Sequence, residues 1–469
     1  MNQTVAQRRR RRKAQAVSAG RQRQQQRAVR AQVQATIRAL VRAAVEAALE
    51  AEVTAWLGRA RYTPRRSAPP RGLGAVCSTC LQDRTWRTYR AGHYRRTLLT
   101  LQAAVTIRVP RLRCCCGGNI PVAFATVGRY QRGWGDVQER ARELAGLCVS
   151  LADARQILAW SNGQPVAAST LQGWGEQAAP LADAVRQGPL GRVPPVVLLD
   201  GLWIKLQVET GERYRDQAGR ERPRTRRVRV PLLVAYGVDP ITGERWLVDW
   251  ERAEQEDQAS WQVLLERLHA RGLTSAARFT LFVHDGGSGL EAALSELDVG
   301  PGVLRQRCVF HVLRNVGDAV QGEAGRPRAA KRARRREVLH AARGIWDTSE
   351  RATALQRWRQ FQQTWQAREP QAVATLERAL DATLAYCTAV GWAREPGDHW
   401  ALHHLRTTSA LERVNRALRQ KARPVGVFRA EQAVAAAVAL VATHRHWLLD
   451  ADPAADDWAD EFERRLLAA

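Results

Sequence analysis

The sequence predicts an α/β fold whose main body is a mixed β-sheet, with an all-helical insertion and a separate helical and β-rich N-terminal region. The first observation is an apolar run from Val196, directly after Pro194 and Pro195, which indicates a buried strand. The second is a series of strand-like segments up to residue 307, and the third is helical periodicity without strand-like alternation over 318–400. At 469 residues the chain is too long for one core, so several domains are expected.

The charge of the chain favours a polyanionic partner. Lys and Arg number 73 against 46 Asp and Glu, which leaves a net charge of +27. Almost all the basic residues are arginine, as in products of GC-rich genomes, but codon bias does not explain the excess of basic over acidic residues. No apolar run approaches the roughly 20 residues that span a membrane, and no apolar segment follows the basic residues 8–13 as in a secretory signal. The eight cysteines cluster, which fits a reducing, cytoplasmic location.

The N-terminal region begins with a basic stretch and continues as an amphipathic helix. Residues 1–30 are basic, rich in Gln and Ala and free of acidic residues, which predicts a disordered tail that can contact phosphates without sequence preference. Residues 31–60 predict a helix that Gly58 ends. This helix can serve core packing or oligomerisation. Its apolar face is formed by Val33, Ile37, Leu40, Val41, Ala44, Ala48, Val53 and Trp56.

Residues 61–130 predict a β-rich region with a candidate zinc ribbon, after a linker at 64–74 that is rich in Pro, Arg and Gly. The alternative to zinc binding is a set of buried or incidental thiols. The four candidate ligands for a tetrahedral zinc ion are Cys77 and Cys80, a CxxC pair, with Cys114 and Cys116, a CxC pair.

Residues 131–190 are typical of helices. A helix capped by Ser150 and Asp153 and a second helix that opens at Ser169 are compatible with a helix-turn-helix, although many helical hairpins share this pattern. Residues 188–195 form a second linker.

Residues 193–317 predict the first part of the sheet domain. Three antiparallel strands, the last two flanking a turn at 239–243, are followed by a helix at 259–273 and by strands that end near His284 and Arg307. This order of strands and helices is that of an RNase H-like sheet. The rest of the chain divides into an all-helical insertion at 318–400, a return to the sheet domain at 401–445 and an acidic tail at 446–469.

Three acids lie where they could share a pair of divalent ions. Asp200 interrupts the apolar strand, and a buried carboxylate requires a hydrogen-bond partner or a metal. Asp285 follows another strand, and Glu412 lies at the head of a helix expected to pack on the sheet. Each has a structural alternative, because the two aspartates precede glycine as turn acids do, and Glu412 fits a capping box with Ser409. Together the three carboxylates predict a catalytic site for two Mg²⁺ or Mn²⁺ ions.

A basic stripe follows Glu412 on the same helix and predicts contacts with a DNA backbone. Cys308 and His311, three residues apart at a helix start, are predicted to support the site as a packed thiol and a hydrogen-bonded imidazole; the alternative is a pair of zinc ligands. The candidate DNA contacts are Asn415, Arg416, Arg419 and Arg423 in the stripe, with Arg314 in another helix.

The residues and spacing of these motifs resemble those of the Mutator-type transposases of bacterial insertion sequences. The resemblance implies an RNase H-like catalytic domain interrupted by a helical insertion, with Asp200, Asp285 and Glu412 as its acidic triad. It also implies DNA partners, namely terminal repeats and target DNA, a homo-oligomer that joins two ends, and a cytoplasmic, nucleoid-associated location. The cysteines depart from the family's pattern. The matching stretches are residues 50–58, 106–113, 199–203, 284–286, 307–315 and 407–428.

The predicted activity is DNA transposition by hydrolysis at the element end, followed by attack of the freed 3′-hydroxyl on target DNA. Two rival interpretations stay open. One is a nuclease of the same fold that hydrolyses without strand transfer. The other is a non-catalytic DNA-binding regulator, such as a domesticated transposase.

Overall fold

The chain divides into two units that have separate hydrophobic cores. Unit 1 comprises Met1–Leu144 with Leu151–Trp174, and unit 2 comprises Ala145–Ser150 with Gly175–Ala469. The predicted linker at 64–74 and nearly all of the predicted acidic tail lie outside the described residues. The computed structural model describes residues 5–63, 76–81, 88–273, 280–297, 302–321, 328–393 and 402–448.

The first helix of unit 1 begins far earlier than the sequence predicts. Helix α1 runs over Val5–Leu57. The prediction of a disordered tail at 1–30 is therefore wrong from Val5 onward, because Arg, Gln and Ala all favour the helix and no proline interrupts them. The helix ends as predicted, since Gly58 adopts a left-handed φ of 62° that suits a glycine after a helix C-terminus.

Helix α1 packs on a three-stranded antiparallel sheet. The strands, in spatial order, are β1 (Thr88–Leu99), β2 (Ala104–Cys114) and β3 (Asn119–Ile120). Of the predicted apolar face, Val33 and Leu40 are 51% and 65% exposed, because only the C-terminal part of α1 faces the sheet. The buried residues of α1 recur at helical spacing and are Val45, Leu49, Val53 and Leu57.

Three further helices follow the small sheet. Helix α3 begins directly after Ser150, as predicted, and its connection to α4 includes Gly163 with a φ of 81°. The role of these helices as a helix-turn-helix stays a prediction. The helices are α2 (Gly135–Gly146), α3 (Leu151–Asn162) and α4 (Ala168–Glu176).

Unit 2 is built on a five-stranded mixed sheet, which confirms the mixed α/β prediction. The spatial order of its strands is β6-β5-β4-β7-β8. Strands β4, β5 and β6 pair antiparallel, whereas β7 runs parallel to β4 and β8 parallel to β7. Strand β4 is therefore central. The strands are β4 (Val196–Arg215), β5 (Glu221–Val238), β6 (Arg245–Arg252), β7 (Thr280–His284) and β8 (Val303–Arg307).

Strands β4 and β5 extend beyond the sheet as a two-stranded ribbon. The predicted first strand ended at Leu206, but β4 continues to Arg215 and pairs there with the start of β5 at Glu221. Between Glu209 and Arg227 the side chains are exposed or half-buried, so no apolar alternation marks the ribbon in the sequence. Cross-strand pairing, and not burial, defines this segment.

The remaining helices belong to unit 2, and no strand interrupts them over residues 328–393. The buried aromatic side chains Trp346, Trp358 and Phe361 of this helical region join the same core as strand β4. No helix within the described ranges is both long and apolar enough to cross a membrane. The helices are α5 (Ala179–Gln187), α6 (Gln258–Ala270), α7 (Ser288–Glu296), α8 (Val309–Ala319), α9 (Arg328–Arg343), α10 (Arg351–Trp365), α11 (Pro370–Leu380), α12 (Ala385–Ala393), α13 (Leu402–Arg406), α14 (Ser409–Val425) and α15 (Glu431–His444), with short 3₁₀ helices at Gly344–Trp346 and Asp381–Thr383.

The two faces of the large sheet pack against different helices. Successive side chains of a strand point to opposite faces, so β4 contributes to two cores. Val197 and Leu199 pack with α6 and α7 on one face. Leu198 and Leu202 pack with α14 and α15 on the other. Asp200 shares its direction along β4 with Leu198 and Leu202, and therefore faces α14.

Candidate active site and metal centre

Asp200 and Asp285 each come directly after the last residue pair between the parallel strands β4 and β7. Strands β4 and β7 pair with Leu199 opposite His284, so the two acids occupy the next position along each strand. Strand β7 ends at His284, and the chain turns away at Gly286, whose φ of 91° favours glycine. The two acids therefore meet where the parallel strands separate.

The edge of β4 beside Asp200 is open to the rest of the site. Strand β7 pairs with this edge only as far as Leu199. Further along β4, Phe428 pairs with the same edge. Its N–H donates to Lys205 O at 2.9 Å, and its carbonyl accepts from Gln207 N at 2.8 Å. Between these two contacts no described strand pairs with this edge of β4, whose other edge pairs with β5, so the open edge can face a ligand.

The surroundings of Asp200 disfavour its charged form. Burial raises the pKa of this carboxyl, the charge of Asp285 raises it further, and hydrogen bonds from Gly201 and Asn415 lower it, which leaves the pKa at about 6. The backbone N–H of Gly201 donates to Asp200 Oδ1 at 2.9 Å, and Gly287 N–H donates to Asp285 Oδ1 at 2.9 Å. A cation between the two carboxylates would remove their mutual repulsion.

Helix α14 is tied to the central strand through Asn415. This residue is fully buried, and its Nδ2 donates to Asp200 Oδ2 at 2.7 Å. The prediction of Asn415 as a DNA contact is therefore wrong, because its position on the helix lies at the border of the buried face. Glu412 lies one turn earlier on α14 and is half-buried.

His311, in the first turn of α8, lies within electrostatic range of all three predicted acids. Its hydrogen bond with Cys308 raises its pKa, burial lowers it, and the charges of Cys308, Asp285 and Glu412 raise it further, with a net increase. The same imidazole lowers the pKa of Asp200. Acids from β4, from the end of β7 and from α14 thus each interact electrostatically with one side chain.

Cys308 connects the starts of helices α8 and α14. Its side chain is fully buried, and its sulfur accepts hydrogen bonds from the backbone N–H and the hydroxyl of Thr408, each at 3.4 Å. Thr408 directly precedes α14, so these bonds fix the helix that carries Glu412. The buried sulfur agrees with the packed thiol that the sequence predicts at Cys308, and the supporting role of Cys308 and His311 stays a prediction.

The four arginines predicted to contact DNA are all exposed. Arg314 is exposed on α8. The arginine stripe of α14, which we define as Arg416, Arg419 and Arg423, is exposed along its length.

Sequence reasoning missed Glu256, which lies beside the two aspartates. A Cβ placed on Gly201 would lie 2.7 Å from Glu256 Cδ, so the carboxylate rests on the backbone of that glycine. Partial desolvation raises the pKa of Glu256, the charges of Asp285 and Asp200 raise it further, and a hydrogen bond from Trp203 lowers it. No signal in the sequence marks this acid, because Glu254 and Asp257 flank it in an ordinary polar loop.

The acids are less tightly grouped than the cysteines. In the described part of the chain, the cysteine cluster, defined as Cys77, Cys80, Cys114 and Cys116, is the one group of three or more potential ligands whose donor atoms all lie within 4.8 Å of one another. The sulfur atoms of Cys77 and Cys116 are 3.5 Å apart, and those of Cys80 and Cys114 are 3.9 Å apart. Sulfurs at about 2.3 Å from a tetrahedral zinc ion are separated by about 3.8 Å. The cluster therefore has the spacing of a zinc site.

Local backbone geometry brings the four thiols together. The turn at Cys77 is closed by a hydrogen bond from Leu81 N–H to Cys77 O at 3.0 Å, and the β2–β3 turn by one from Gly117 N–H to Cys114 O at 2.8 Å. A Cβ on Gly118 would lie 2.6 Å from Cys77 Sγ, so this position requires glycine. Backbone N–H groups of Cys80 and Thr79 point at the Cys77 sulfur and lower its pKa to about 6, which favours the thiolate that binds metals.

The chain matches known transposases. The sequence profile described as "Transposase, Mutator family" covers residues 13–449. The transposase for insertion sequence element ISRM5 of Rhizobium meliloti (strain 1021) is 28% identical over 367 residues, which are 77% of this chain and 80% of the relative. The transposase for insertion sequence element IS406 of Burkholderia multivorans (strain ATCC 17616 / 249) is 28% identical over 349 residues, 73% of this chain and 78% of the relative.

Among solved structures, the chain is similar to the Drosophila P element transposase strand transfer complex, with 11% identity and a TM-score of 0.26 over 67% of this chain and 80% of that chain. The fold described above rests on this chain's own elements. Since the family profile spans nearly the whole sequence, the chain belongs to the Mutator family of transposases.

Proposed function

We propose that this chain is a DNA transposase that cuts the ends of an insertion element and joins them to target DNA. In this proposal the five-stranded sheet is an RNase H-like catalytic domain, and Asp200, Asp285 and Glu412 are its catalytic acids. The observation that carries the proposal is the position of Asp200, which lies beside the end of β7 that leads into Asp285 and accepts a hydrogen bond from Asn415 of the helix that carries Glu412. Residues far apart in the chain thus share one neighbourhood, as a catalytic centre requires.

The three carboxylates would hold two Mg²⁺ or Mn²⁺ ions. The donor set fits hard cations, because it consists of carboxylate oxygens and because the charges of Asp200 and Asp285 repel one another. Each oxygen of Asp200 accepts one hydrogen bond, from Gly201 or Asn415, and keeps a lone pair for a cation. Bound ions would supply an activated nucleophile and stabilise the charge that develops on the phosphodiester.

The neighbouring side chains prepare the acids for this role. Asn415 fixes the orientation of the Asp200 carboxylate relative to α14, and Glu412 lies on the same helix one turn away. The raised pKa of His311 favours an imidazolium beside the acids, which offsets part of their charge while no cation is bound. Cys308 holds the starts of α8 and α14 together and so acts as a positioning residue.

DNA would lie along the arginine stripe of α14 and the β4–β5 ribbon. Three ribbon arginines are paired with acids of the ribbon itself, in the pairs Arg213–Glu221, Arg222–Asp216 and Arg224–Glu212. A second set makes no ion pair with any described residue and is free to contact phosphates. This set consists of Arg215, Arg220, Arg226 and Arg227.

The cysteine cluster would bind one structural zinc ion. Four thiols with tetrahedral spacing and no further ligand position are typical of a closed zinc site. The ion would fasten the turn at Cys77 to the β2–β3 turn, and so stabilise the small sheet on which α1 packs.

A homo-oligomer follows from the proposed chemistry, because two element ends must be joined in one reaction. A second copy of the chain would also account for exposed apolar residues in the middle of α1, namely Val29, Val33 and Leu40. We therefore retain oligomerisation as a role of α1, beside its packing on the sheet.

Excision of a plasmid-borne mini-element in the presence of Mg²⁺ tests the proposal. Wild-type protein is expected to release the element and to give joined products with target DNA. Glu412→Gln is expected to bind element ends but to give neither product. Nicks without joined products would favour the nuclease, and equal activity of Glu412→Gln and wild type in every assay would favour the non-catalytic regulator.

A further inference from the structure

Glu256 approaches the candidate active site from the face of the sheet opposite to α14. It directly precedes Asp257, whose carboxylate caps α6 by accepting a hydrogen bond from Ser260 N–H at 3.0 Å. Helix α6 packs on the face of the sheet that Val197 and Leu199 line. Asp200 faces α14, and Gly201, the next residue of β4, faces the side of α6.

Gly201 makes the approach of Glu256 possible. A Cβ at this position would lie 2.7 Å from Glu256 Cδ and 3.0 Å from Oε2, closer than a real side chain could tolerate. The absence of a side chain therefore lets the carboxylate lie against the strand, one residue from Asp200. Trp203, two residues further along β4, also interacts with this carboxylate.

The start of α6 also adjoins the loop that carries Asp285. A Cβ on Gly289, in the first turn of α7, would lie 2.9 Å from the backbone carbon of Asp257. The residue after Glu256 thus packs on the turn that follows Asp285. The approach at Gly201 therefore places Glu256 against β4, and the approach at Gly289 places its neighbour Asp257 against the turn after Asp285.

The Glu256 carboxylate lacks a cationic partner of its own. No arginine, lysine or histidine of the described residues forms an ion pair with it, and its outer side is exposed to solvent. On the α14 face of the sheet, the fully buried Asn415 keeps an Oδ1 without a hydrogen-bond partner next to Asp200. Both groups are acceptors that a bound cation, or the water it carries, would satisfy.

On the basis of the active site proposed above, we infer that Glu256 is a fourth carboxylate ligand for the divalent cations, supplied from the α6 face of the sheet. Glu412 would close the site from the α14 face, and the two aspartates would lie between them. Four carboxylates carry as much negative charge as two divalent cations carry positive charge. The site would then be neutral when loaded, before the phosphodiester enters.

Binding of Mn²⁺ to the full chain, followed by electron paramagnetic resonance, tests this inference. Glu256→Gln is expected to weaken Mn²⁺ binding at least about tenfold. Gly201→Ala is expected to weaken it as well, because the new methyl group displaces a carboxylate whose charge is unchanged. Glu254→Gln is the matched control, since this exposed acid belongs to the same loop, and it is expected to bind Mn²⁺ as wild type does.

A thermal readout separates a ligand from a structural residue. Without divalent ions, Glu256→Gln is expected to melt at the wild-type temperature or above, because it removes one of several repelling charges. Addition of Mg²⁺ is expected to raise the melting temperature of Glu256→Gln less than that of wild type. Wild-type Mn²⁺ affinity in Glu256→Gln would overturn the inference, provided that Asp200→Asn has lost Mn²⁺ binding. If Asp200→Asn also retains it, the proposed active site itself is wrong, and the inference fails with it.

Discussion

Asn415 Nδ2 donates a hydrogen bond to Asp200 Oδ2 at 2.7 Å, and this bond joins the helix that carries Glu412 to the central strand of the sheet. The bond matters because Asp200 belongs to the first part of the sheet domain and Asn415 to the part that returns after the helical region. A long helical segment therefore separates, in the sequence, two residues that form a direct hydrogen bond in the folded protein.

Asn415→Ala is expected to destabilise the protein by about 1–3 kcal/mol, because it leaves a largely buried carboxylate oxygen without a donor. It is also expected to slow DNA cleavage while element-end binding stays at the wild-type level, since the exposed arginine stripe is unchanged. Chemical denaturation and a single-turnover cleavage assay measure the two effects. Asn315→Ala, which removes an exposed asparagine of α8, serves as the control. Wild-type cleavage by Asn415→Ala would contradict the role assigned to this bond.

The pKa of Asp200 predicts a pH dependence of stability in the ion-free protein. Its folded-state pKa of about 6 lies above the ordinary value of 3.8, so the folded state binds this proton more tightly than the unfolded state does. The resulting stabilisation is complete below pH 4 and is lost as the pH rises through 6, by at most about 3 kcal/mol. In EDTA, the melting temperature of Asp200→Asn is therefore expected to rise relative to wild type between pH 5 and pH 8. A constant difference in melting temperature over this range would show that folding does not raise the pKa of Asp200.

Removal of one ligand is expected to abolish zinc binding by the cysteine cluster. Purified wild-type protein should contain about one zinc ion per chain, and Cys114→Ser should contain none and melt at a lower temperature. Cys115→Ser is a close control, because this exposed cysteine is adjacent in sequence but does not belong to the cluster. Elemental analysis of the three proteins checks the prediction, and zinc retention by Cys114→Ser would contradict it.

The ribbon is expected to bind DNA phosphates. Replacement of Arg226 and Arg227 with alanine should weaken DNA binding and reduce the slope of log affinity against log salt concentration by about one for each phosphate that is no longer neutralised. The same replacement of Arg213, which pairs with Glu221, should change the slope less. Fluorescence anisotropy over a series of salt concentrations measures both slopes. Equal slopes for all variants would show that DNA does not reach the ribbon.

The sequence predicts those parts of the fold that hydrophobic burial determines. Strand β8 has the predicted limits, Val303 and Arg307, and β4 begins at Val196 as predicted, because an apolar run directly after two prolines marks the start of β4. The ribbon beyond Leu206 has no buried face, so its strands depend on pairing partners that a local pattern cannot identify. The early start of α1 at Val5 was missed because charge suggested disorder where helix propensity favours a helix.

The two aspartates could be singled out in the sequence, but their surroundings could not. Asp200 and Asp285 stand out because each follows an apolar run and precedes glycine. Asn415 was predicted as a surface contact because only its helical spacing from Glu412 was visible, and the neighbouring strand that buries it was not. Glu256 lies near the site because Gly201 has no side chain that would displace it. This contact forms only after β4 and α6 have packed together.

Single-turnover cleavage of a labelled element end in Mg²⁺, with each acid replaced in turn, tests the central claim most directly. Asp200→Asn, Asp285→Asn and Glu412→Gln are each expected to lower the cleavage rate at least about 100-fold with wild-type affinity for the DNA, because each removes a ligand of the ions that stabilise the reacting phosphodiester. A wild-type cleavage rate in any one of the three variants would contradict a catalytic centre built from these acids.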